Sequence, residues 1–390
     1  MKINILQGAF LPVPPIQGGA IESAWFALGK EFFKQGHEVT HVSRFGEGLV
    51  KSEVIQGVTH LRVRGARAVK NPYLLKLLEL PYVLRARKVM PPADILVTHA
   101  FWAPLFFPDQ EFGRQYVHVG RYPKGQLRLY KKAARFQVPT HFIAKVCCKE
   151  VPKFSAKIKV LPYPLTWKTS DKPRFENREK IILYAGRVHP EKGVRELAEA
   201  WKMVPKEIAD GWTLRVIGPW KEEQGGGGKK FRDQLEDLLV AGQNKAEIRE
   251  PVFNRDELKK EMEKASLFIY PSIAEKGETF GLAVLEAMSC GCVPVVSDLP
   301  CFSDFINFGV EGFCLERLPG DNFSETILET LLETLKISDF KMQQLATASW
   351  KRAKQFEIEK VSVRYLEDFA LSKEEADNLI MSARNIIYKD

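Results

Sequence analysis

Residues 269–298 decide the fold; they read IYPSIAEKGETFGLAVLEAMSCGCVPVVSD. The apolar run that ends at Tyr270 predicts a buried strand, residues 271–281 a loop, and residues 282–288 the first turns of a helix. A second apolar run at residues 293–296 predicts another strand. A strand, a glycine-bearing loop, a helix and a second strand in this order indicate an open α/β sheet.

Two carboxylates flank the loop-to-helix turn of this stretch. Glu278 lies on the loop, and Glu286 lies in the helix, about one and a half turns beyond Gly281. The amides of a first helical turn have no partner within the helix, so they can receive a diphosphate. A carboxylate can accept hydrogen bonds from two vicinal hydroxyls, which suits a ribose. The alternative is that Glu286 only caps or solvates a helix face, as helical glutamates usually do.

The spacing of these glutamates resembles the signature of the retaining glycosyltransferases of family four. Seven residues separate them, and Ala287-Met288 and a glycine-to-proline turn at residues 291–294 follow. The resemblance implies that Glu286 holds the donor ribose and that Glu278 contacts the donor sugar. It also implies that backbone amides at the turn meet phosphate or sugar, namely those of Phe280, Gly281 and Leu282.

The same resemblance implies an α/β protein with the GT-B fold. In that fold two Rossmann-like domains face each other across a deep cleft, and a carboxy-terminal helix crosses back to the first domain. The two prolines of Leu161-Pro162-Tyr163-Pro164 predict an interdomain linker. We therefore expect an acceptor-binding domain at residues 1–164, joined by a tail at about 366–390, and a donor-binding domain at residues 165–365. A long helix from Ser349 to Phe369 is expected to make the crossing.

A basic loop follows the strand predicted at residues 181–185. Its sequence, Gly186-Arg187-Val188-His189-Pro190-Glu191-Lys192-Gly193, resembles the family's diphosphate loop. Arg187 offers a forked guanidinium and Lys192 a point charge, so together they can neutralise the leaving diphosphate. Ligands of open α/β sheets bind at the carboxyl edge of the sheet, where Gly186 is expected to lie beside the donor. An exposed basic loop is the alternative for Lys192.

The amino-terminal residues resemble the family's first βα unit. A short strand at residues 3–6 precedes a proline-rich loop and a helical pattern at residues 21–36. Gly18 and Gly19 have no side chains, so their amides can approach phosphate or acceptor closely. The strand is not followed by Gly-x-Gly-x-x-Gly, which argues against a dinucleotide site.

Two further positions follow from the order of the family's elements. The family places a histidine near the donor sugar, and His118 in Tyr116-Val117-His118-Val119-Gly120 fits that place better than His99. Its expected role is a hydrogen bond to a sugar hydroxyl or a backbone carbonyl, and a core histidine is the alternative. Val252 lies where the family contacts the nucleotide base. Gly225–Gly228 are expected to form a flexible insertion.

Composition limits the classes of function. A chain of 390 residues with 45% hydrophobic content can form two cores. It contains no apolar run of about 18 residues and no signal cleavage site, so a cytoplasmic protein is expected. The six cysteines show no Cys-x-x-Cys spacing and are expected to be reduced. Because Asp-x-Asp is absent, we expect no metal. The family resemblance implies a nucleoside diphosphate sugar as donor, with UDP-sugar favoured, and no cofactor.

The positive charge is concentrated in the first half of the chain. Residues 1–165 contain 25 lysines and arginines against 10 acidic residues, a net +15, whereas the remainder contains 33 against 39, a net −6. Residues 68–90 and 121–136 interleave these cations with aromatic and aliphatic residues. Such segments can lie on an anionic membrane, bind an anionic acceptor, or form a solvated face. Nucleic acid is not expected, because no binding motif accompanies the charge.

The family resemblance implies a retaining, metal-independent hexosyltransferase of cell-surface polysaccharide or glycolipid biosynthesis. Its acceptor is expected to be a glycan or a lipid-linked glycan. Its expected location is the cytoplasm, with peripheral attachment to the inner face of the membrane as one option. Two alternatives stay open at this point. One is a soluble synthase of a small sugar conjugate, and the other is a catalytically silent protein that binds sugar nucleotides.

Overall fold

The chain folds into two compact α/β units. The computed structural model describes residues 1–67, 69, 71–317, 320 and 322–370. Unit 1 comprises Met1–Thr166 and a carboxy-terminal segment that begins at Ile358, and unit 2 comprises Trp167–Glu357. The first boundary lies two residues beyond the position expected from the sequence, and the second lies eight residues before it.

The described part of unit 1 is built on one predominantly parallel sheet. Its strands run in the order β3-β4-β2-β1-β5-β6-β7-β8, and every neighbouring pair is parallel except β3 and β4. The strands are β1 (Lys2–Leu6), β2 (Glu38–Arg44), β3 (Ser52–Ile55), β4 (Val58–Val63), β5 (Ile95–Thr98), β6 (Arg114–His118), β7 (Arg135–Val138) and β8 (Ile158–Val160). The helices are α1 (Ala20–Lys34), α2 (Pro72–Val89), α3 (Ala103–Phe106), α4 (Asp109–Phe112) and α5 (His141–Glu150).

The described part of unit 2 is built on a fully parallel sheet. Its strands are β9 (Glu179–Ala185), β10 (Thr213–Ile217), β11 (Ala246–Arg249), β12 (Ala265–Tyr270), β13 (Val293–Ser297) and β14 (Phe313–Leu315). Its helices are α6 (Val194–Met203), α7 (Lys206–Ala209), α8 (Lys229–Val240), α9 (Arg255–Lys264), α10 (Leu282–Ser289), α11 (Phe323–Thr334) and α12 (Asp339–Ala353). The spatial order β11-β10-β9-β12-β13-β14 is that of a Rossmann sheet, in which the order of the strands reverses between β9 and β12.

Apolar runs and capping residues explain these elements. All residues of β10, β12 and β13 are buried, as expected for parallel strands covered on both faces. The side chain of Asn71 accepts hydrogen bonds from two amides at the start of α2, and Asn254 does the same for α9. The strand predicted at residues 181–185, the strand predicted to end at Tyr270 and the helix predicted at residues 282–288 are confirmed.

The carboxy-terminal crossing differs from the single long helix expected between Ser349 and Phe369. Helix α12 ends at Ala353, and α13 (Ile358–Phe369) begins after a short 3₁₀ turn. All of α13 belongs to unit 1, so the crossing occurs at residue 358 and not at about 366. The part of the predicted tail at residues 371–390 lies outside the described residues.

Burial of one face of α13 explains the early crossing. Tyr365 donates a hydrogen bond to the Leu161 carbonyl at 3.1 Å. Asp368 accepts hydrogen bonds from Arg135 at 3.1 Å and from Gln137 at 2.9 Å. Tyr365 and Asp368 therefore fix the helix against the carboxy-terminal strands of unit 1.

Candidate functional site

The loops that follow β9 and β12 meet at the point where the strand order of unit 2 reverses. Gly193 has φ +65°, and a Cβ at this position would lie 1.9 Å from the Pro271 carbonyl oxygen. The Ile273 amide donates a hydrogen bond to the Glu191 carbonyl at 3.0 Å. Backbones this close leave room only for glycine at residue 193, so the two loops form one rigid base for the site.

A buried ion pair joins these two loops. Lys192 donates to Glu278 Oε1, and the two side chains are only 5% and 9% exposed. The same carboxylate oxygen accepts from Tyr270 Oη at 3.0 Å and from Ser272 Oγ at 3.3 Å. Burial raises the pKa of Tyr270 well above its usual value, and the Glu278 charge adds to this effect, so the phenol stays neutral and donates. Lys192 is thus buried and paired, which argues against its being part of an exposed basic loop.

The second cation of the loop is held by two partners. Arg187 Nη2 lies 2.5 Å from Glu191 Oε1, and Nη1 donates to the Gly225 carbonyl at 2.8 Å. Burial raises the pKa of Glu191, but the charge and hydrogen bond of Arg187, together with the charges of Lys192 and His189, bring the pKa below its usual value. The Arg187 side chain is 41% exposed, so its guanidinium is oriented and still reaches solvent.

The four glycines at residues 225–228 are part of this structure, whereas the sequence suggested a flexible insertion. Gly226 and Gly228 donate to the carbonyls of Lys221 and Trp220 at 2.9 Å and 2.8 Å. Gly227 donates to the Val188 carbonyl at 2.9 Å, which ties the segment to the loop after β9. The glycines therefore form a bonded turn that orients Arg187.

Glu286 lies on the next helix, α10, and is 3% exposed. It forms an ion pair with Arg255, the first residue of α9, whose guanidinium lies 4.3 Å from the ring centroid of Trp167. Glu286 is therefore a buried, paired carboxylate, which argues against a role as a solvated helix face. The sequence reasoning missed Arg255. No local pattern marks it, because Asp256 and Glu257 already supply anions in the same helical turn and Glu286 lies 31 residues away.

The start of α10 has a tightly constrained backbone. Gly281 has φ +89°, and a Cβ here would lie 2.4 Å from Phe302 Cε1. Phe280 is 2% exposed and packs on Phe305 at a centroid distance of 5.2 Å, so its side chain belongs to the core. Leu282 is also buried. Of these three predicted contact residues, only the backbone amides can serve a ligand.

Two other predicted donor residues of unit 2 lie at the same sheet edge. Gly186 follows β9 directly, and its carbonyl lies so close to Gly218 that a Cβ there would approach it to 1.7 Å. Val252 is half-buried in the loop between β11 and α9, three residues before Arg255. Tyr270, Ser272 and Arg255 also belong to the candidate site, and the sequence analysis did not single them out.

The remaining predicted residues, Gly18, Gly19 and His118, belong to unit 1. A Cβ at Gly18 would meet nothing within 4 Å, whereas one at Gly19 would lie 2.2 Å from Glu22 Oε2. Glu22 is buried in the first turn of α1, and burial raises its pKa above the usual value. Gly19 therefore permits a close approach between the loop and this carboxyl.

His118 ends β6 inside an aromatic cluster. Its Nε2 lies 2.9 Å from Tyr163 Oη, and its ring packs against Trp25 and His99 at centroid distances of 5.2 Å and 5.0 Å. Burial lowers the pKa of His118 to about 3, so the ring is neutral. Its Nδ1 has no hydrogen-bond partner among the residues that the structure describes. Within the described residues, one ring nitrogen of His118 is thus hydrogen-bonded and the other is not.

Comparison with known proteins relates part of the chain to a described family. Residues 166–344 match the family described as glycosyl transferases group 1. O-antigen chain mannosyltransferase B of Escherichia coli is 30% identical over 193 residues, which are 48% of this chain and 45% of that protein. The lipopolysaccharide 1,2-N-acetylglucosaminetransferase of Salmonella typhimurium is 25% identical over 218 residues, 51% of this chain and 54% of that protein. The chain thus matches about half the length of these relatives.

A solved structure extends the likeness to nearly the whole chain. Anabaena HepE in complex with UDP and glucose superposes with a TM-score of 0.68, covering 95% of this chain and 99% of the other at 16% identity. At 16% sequence identity, this structural similarity shows a shared fold and no more.

Proposed function

We propose, from the GT-B fold and from the match of residues 166–344 to the glycosyl transferases group 1, that the chain is a retaining hexosyltransferase. The proposed donor is a nucleoside diphosphate sugar, with UDP-sugar as the favoured class. The proposed acceptor is a glycan or lipid-linked glycan of lipopolysaccharide or O-antigen synthesis, in line with the names of the two relatives. The observation that carries the proposal is the buried Lys192–Glu278 pair at the switch point of the unit 2 sheet.

The donor contacts follow from the chemistry of the paired residues. A lysine ammonium has three N–H groups, so Lys192 can bind a phosphate oxygen while keeping Glu278. Arg187 has five N–H groups, of which two are engaged by Glu191 and Gly225, and it can add a second charge to the diphosphate. Glu286 is proposed to accept the ribose hydroxyls, with Arg255 fixing the orientation of its carboxylate.

The proposed transfer needs no enzyme nucleophile and no metal. The bond between the anomeric carbon and the diphosphate oxygen breaks, and the acceptor hydroxyl forms its bond on the same face of the sugar. The acceptor proton passes to the departing phosphate, and Lys192 and Arg187 stabilise the negative charge that develops there. In this proposal Glu278 positions Lys192 and contacts the donor sugar. His118 forms a hydrogen bond with a sugar hydroxyl.

The proposed location is the membrane surface on the cytoplasmic side. Within the described ranges, no helix is both long and apolar enough to cross a membrane. Peripheral contact through residues 68–90 and 121–136 is supported by α2, where Tyr73, Leu74 and Leu77 are 78%, 46% and 62% exposed. Such exposed apolar side chains beside cations suit an anionic lipid surface.

Calorimetry with UDP, GDP, ADP and their sugar forms tests the donor half of the proposal. One nucleotide should bind to the wild type, and Glu286→Gln should weaken it at least about tenfold, because the amide loses a charge-assisted acceptor. Glu261→Gln is the matched control. Glu261 is also partly buried in unit 2 and paired with two arginines, but it lies on α9 among Arg215 and Arg249.

The outcome distinguishes three hypotheses for the function of the chain. Loss of binding in Glu286→Gln with retention in Glu261→Gln supports the assignment and identifies the base. Binding of no nucleotide to well-folded protein would remove the donor site. Binding without transfer to any glycan acceptor would indicate a silent sugar-nucleotide protein. The anomeric configuration of the product, read by NMR, decides between retention and inversion.

A further inference from the structure

Unit 1 contains a cavity that none of the residues assigned above lines. Its volume is about 440 Å³, and its lining residues are Arg44, Phe45, Lys51, Arg62, Arg64 and Gly65. Arg44 ends β2, and Arg62 and Arg64 lie at the end of β4 and just beyond it. The carboxyl ends of two neighbouring parallel strands thus supply three of the four cations, at the edge where open α/β sheets bind ligands.

The charge of this cavity is largely uncompensated. Glu53 lies 2.6 Å from Arg62 Nη1, whereas Arg44, Lys51 and Arg64 form no ion pair with any residue that the structure describes. Partial burial, together with the charge of Arg67, lowers the pKa of Arg44 below its usual value. Like charges gathered in this way repel one another, and a bound anion would relieve that repulsion.

Arg62 is the buried cation of the cavity. It is 4% exposed and donates through Nε to the Val13 carbonyl at 2.9 Å and through Nη1 to the Val50 carbonyl at 2.8 Å. Its Nη2 has no hydrogen-bond partner within the described part of the chain. A buried N–H group without a partner is unfavourable, and an anionic oxygen is a strong acceptor for a guanidinium.

The cavity is held in shape by backbone contacts. Arg44 Nη1 donates to the Phe10 carbonyl at 2.7 Å, so the loop after β1 orients both guanidinium groups. A Cβ at Gly65 would lie 2.4 Å from the Ala9 carbonyl oxygen and 2.6 Å from Arg44 Cγ. The close approach needs a glycine, and it fixes the aliphatic part of Arg44 against the backbone. Fixed donors of this kind lose little entropy when they bind an anion.

We propose that this cavity binds the phosphate of a phosphorylated ligand and, resting on the proposed glycosyl transfer, that this ligand is the sugar acceptor. Three uncompensated cations match a phosphomonoester or diphosphate better than a single carboxylate, which would leave most of the charge unneutralised. The volume lies within the range of small-molecule sites, about 300–1,000 Å³, and so leaves room for a group attached to the phosphate. The phosphate can come from a soluble sugar phosphate or from an isoprenyl diphosphate that carries the glycan.

Hydrogen exchange in the full-length protein tests the site locally. Glucose 6-phosphate, an isoprenyl diphosphate and inorganic phosphate are titrated while protection of the amides in residues 44–65 is measured. Lys51→Gln/Arg64→Gln should weaken binding of the organic phosphates at least about tenfold, because two charge-assisted contacts are lost. Both side chains are exposed, so the fold should persist. Lys145→Gln/Lys149→Gln on α5 removes the same charge from exposed positions elsewhere in unit 1 and should change nothing.

The probes also distinguish the sources of the phosphate. Tighter binding of glucose 6-phosphate supports a soluble acceptor, and tighter binding of the isoprenyl diphosphate supports a lipid-linked one. Inorganic phosphate binding as tightly as either would overturn the acceptor assignment. Protection that is absent, or equal in the cavity variant and wild type, would overturn the site itself. The nucleotide panel run on the same samples separates this result from the proposed function, since the cavity variant should bind nucleotide as wild type does.

Discussion

At the scale of single residues, the pairing of Lys192 with Glu278 needs an explanation other than stability. Two charges taken out of water lose more hydration than their attraction returns unless hydrogen bonds complete the shell. Tyr270 and Ser272 provide such bonds to the same carboxylate oxygen. The network therefore fixes the position of the ammonium group, as the role that we propose for it at a departing phosphate requires.

A double-mutant cycle tests this interpretation. Lys192→Met and Glu278→Gln should each destabilise the protein by about 3 kcal/mol, because each leaves one buried charge unpaired. The double variant should be more stable than either single variant, yet all three should lose sugar transfer at least about 100-fold. Urea unfolding and initial rates are the measurements. Lys229→Ala/Asp233→Ala, which removes an exposed pair on α8, should cost less than about 1 kcal/mol. Strictly additive losses in the cycle would contradict a coupled pair.

Gly281 permits a second test at this scale. Gly281→Ala must accept both a positive φ and a contact with Phe302, so we expect a loss of about 2–4 kcal/mol in the free energy of unfolding. Gly309 also has a positive φ, +81°, but a Cβ there meets nothing within 4 Å. Gly309→Ala should therefore lose only about 1–2 kcal/mol and keep nucleotide binding. Equal losses in the two variants would show that the Phe302 contact does not constrain the start of α10.

At the scale of elements, α2 has an unusual division of its surface. Glu79, Tyr82 and Val83 face the interior, whereas Tyr73 and Leu77 face solvent. The pKa of Glu79 is raised to about 7 by burial, against which its hydrogen bond from the Phe101 amide acts. A helix that exposes apolar side chains and carries Arg87 and Lys88 in its last turn has the composition of a helix at a lipid surface.

Vesicle sedimentation tests α2 as a membrane contact. Leu74→Gln/Leu77→Gln should reduce binding to vesicles that contain anionic lipid by about tenfold, because two exposed apolar groups no longer enter the interface. Val54→Gln is the control, since Val54 is 68% exposed on β3 of the same unit. Donor binding in solution should be unchanged in both variants. Vesicle binding that is equal for all three proteins would exclude α2 as the contact.

At the scale of the whole molecule, the sequence predicts what local patterns encode. Apolar runs predict β9 and β12, and the glycine-bearing loops after them predict where Arg187 and Glu278 lie. The pairing of Lys192 with Glu278 could not be derived in this way. Two strands, β10 and β11, separate β9 from β12 in the chain, and only the order of strands in the sheet makes β9 and β12 neighbours.

The same limit explains the cavity of unit 1. Its cations belong to different elements, and each one by itself resembles an ordinary surface residue. Their convergence depends on the register that pairs β2 with β4 and on the loop after β1. The early crossing at residue 358 likewise depends on tertiary burial of α13, since Tyr365 and Asp368 find their partners about 200 or more residues earlier in the chain.

The histidines of unit 1 predict that the two units differ in stability at low pH. His41, His60 and His118 are buried in unit 1, and His99 is half-buried there. His41 stacks on His60 across β2 and β4 at a centroid distance of 5.4 Å. Burial lowers the pKa of His60 to about 4 and that of His118 to about 3. These folded-state pKa values lie below the unfolded value of about 6.5, so the unfolded chain binds protons first as the pH falls. The stability that the neutral rings allow is therefore fully present above about pH 6.5 and is lost as the pH falls below it.

We therefore expect unit 1 to lose stability before unit 2 between pH 7 and pH 5. At pH 5 each of these rings lowers the free energy of unfolding by up to about 2 kcal/mol. Glu79, whose pKa is raised, is protonated over the same pH range and offsets the loss from about one ring. Hydrogen exchange, corrected for its intrinsic pH dependence, should show lost protection in β2 and β4 while β9 and β12 stay protected. His60→Phe should flatten the response of unit 1, and His141→Phe, at an exposed position, should leave it unchanged. Equal loss of protection in both sheets would mean that the buried rings do not set the acid limit of the fold.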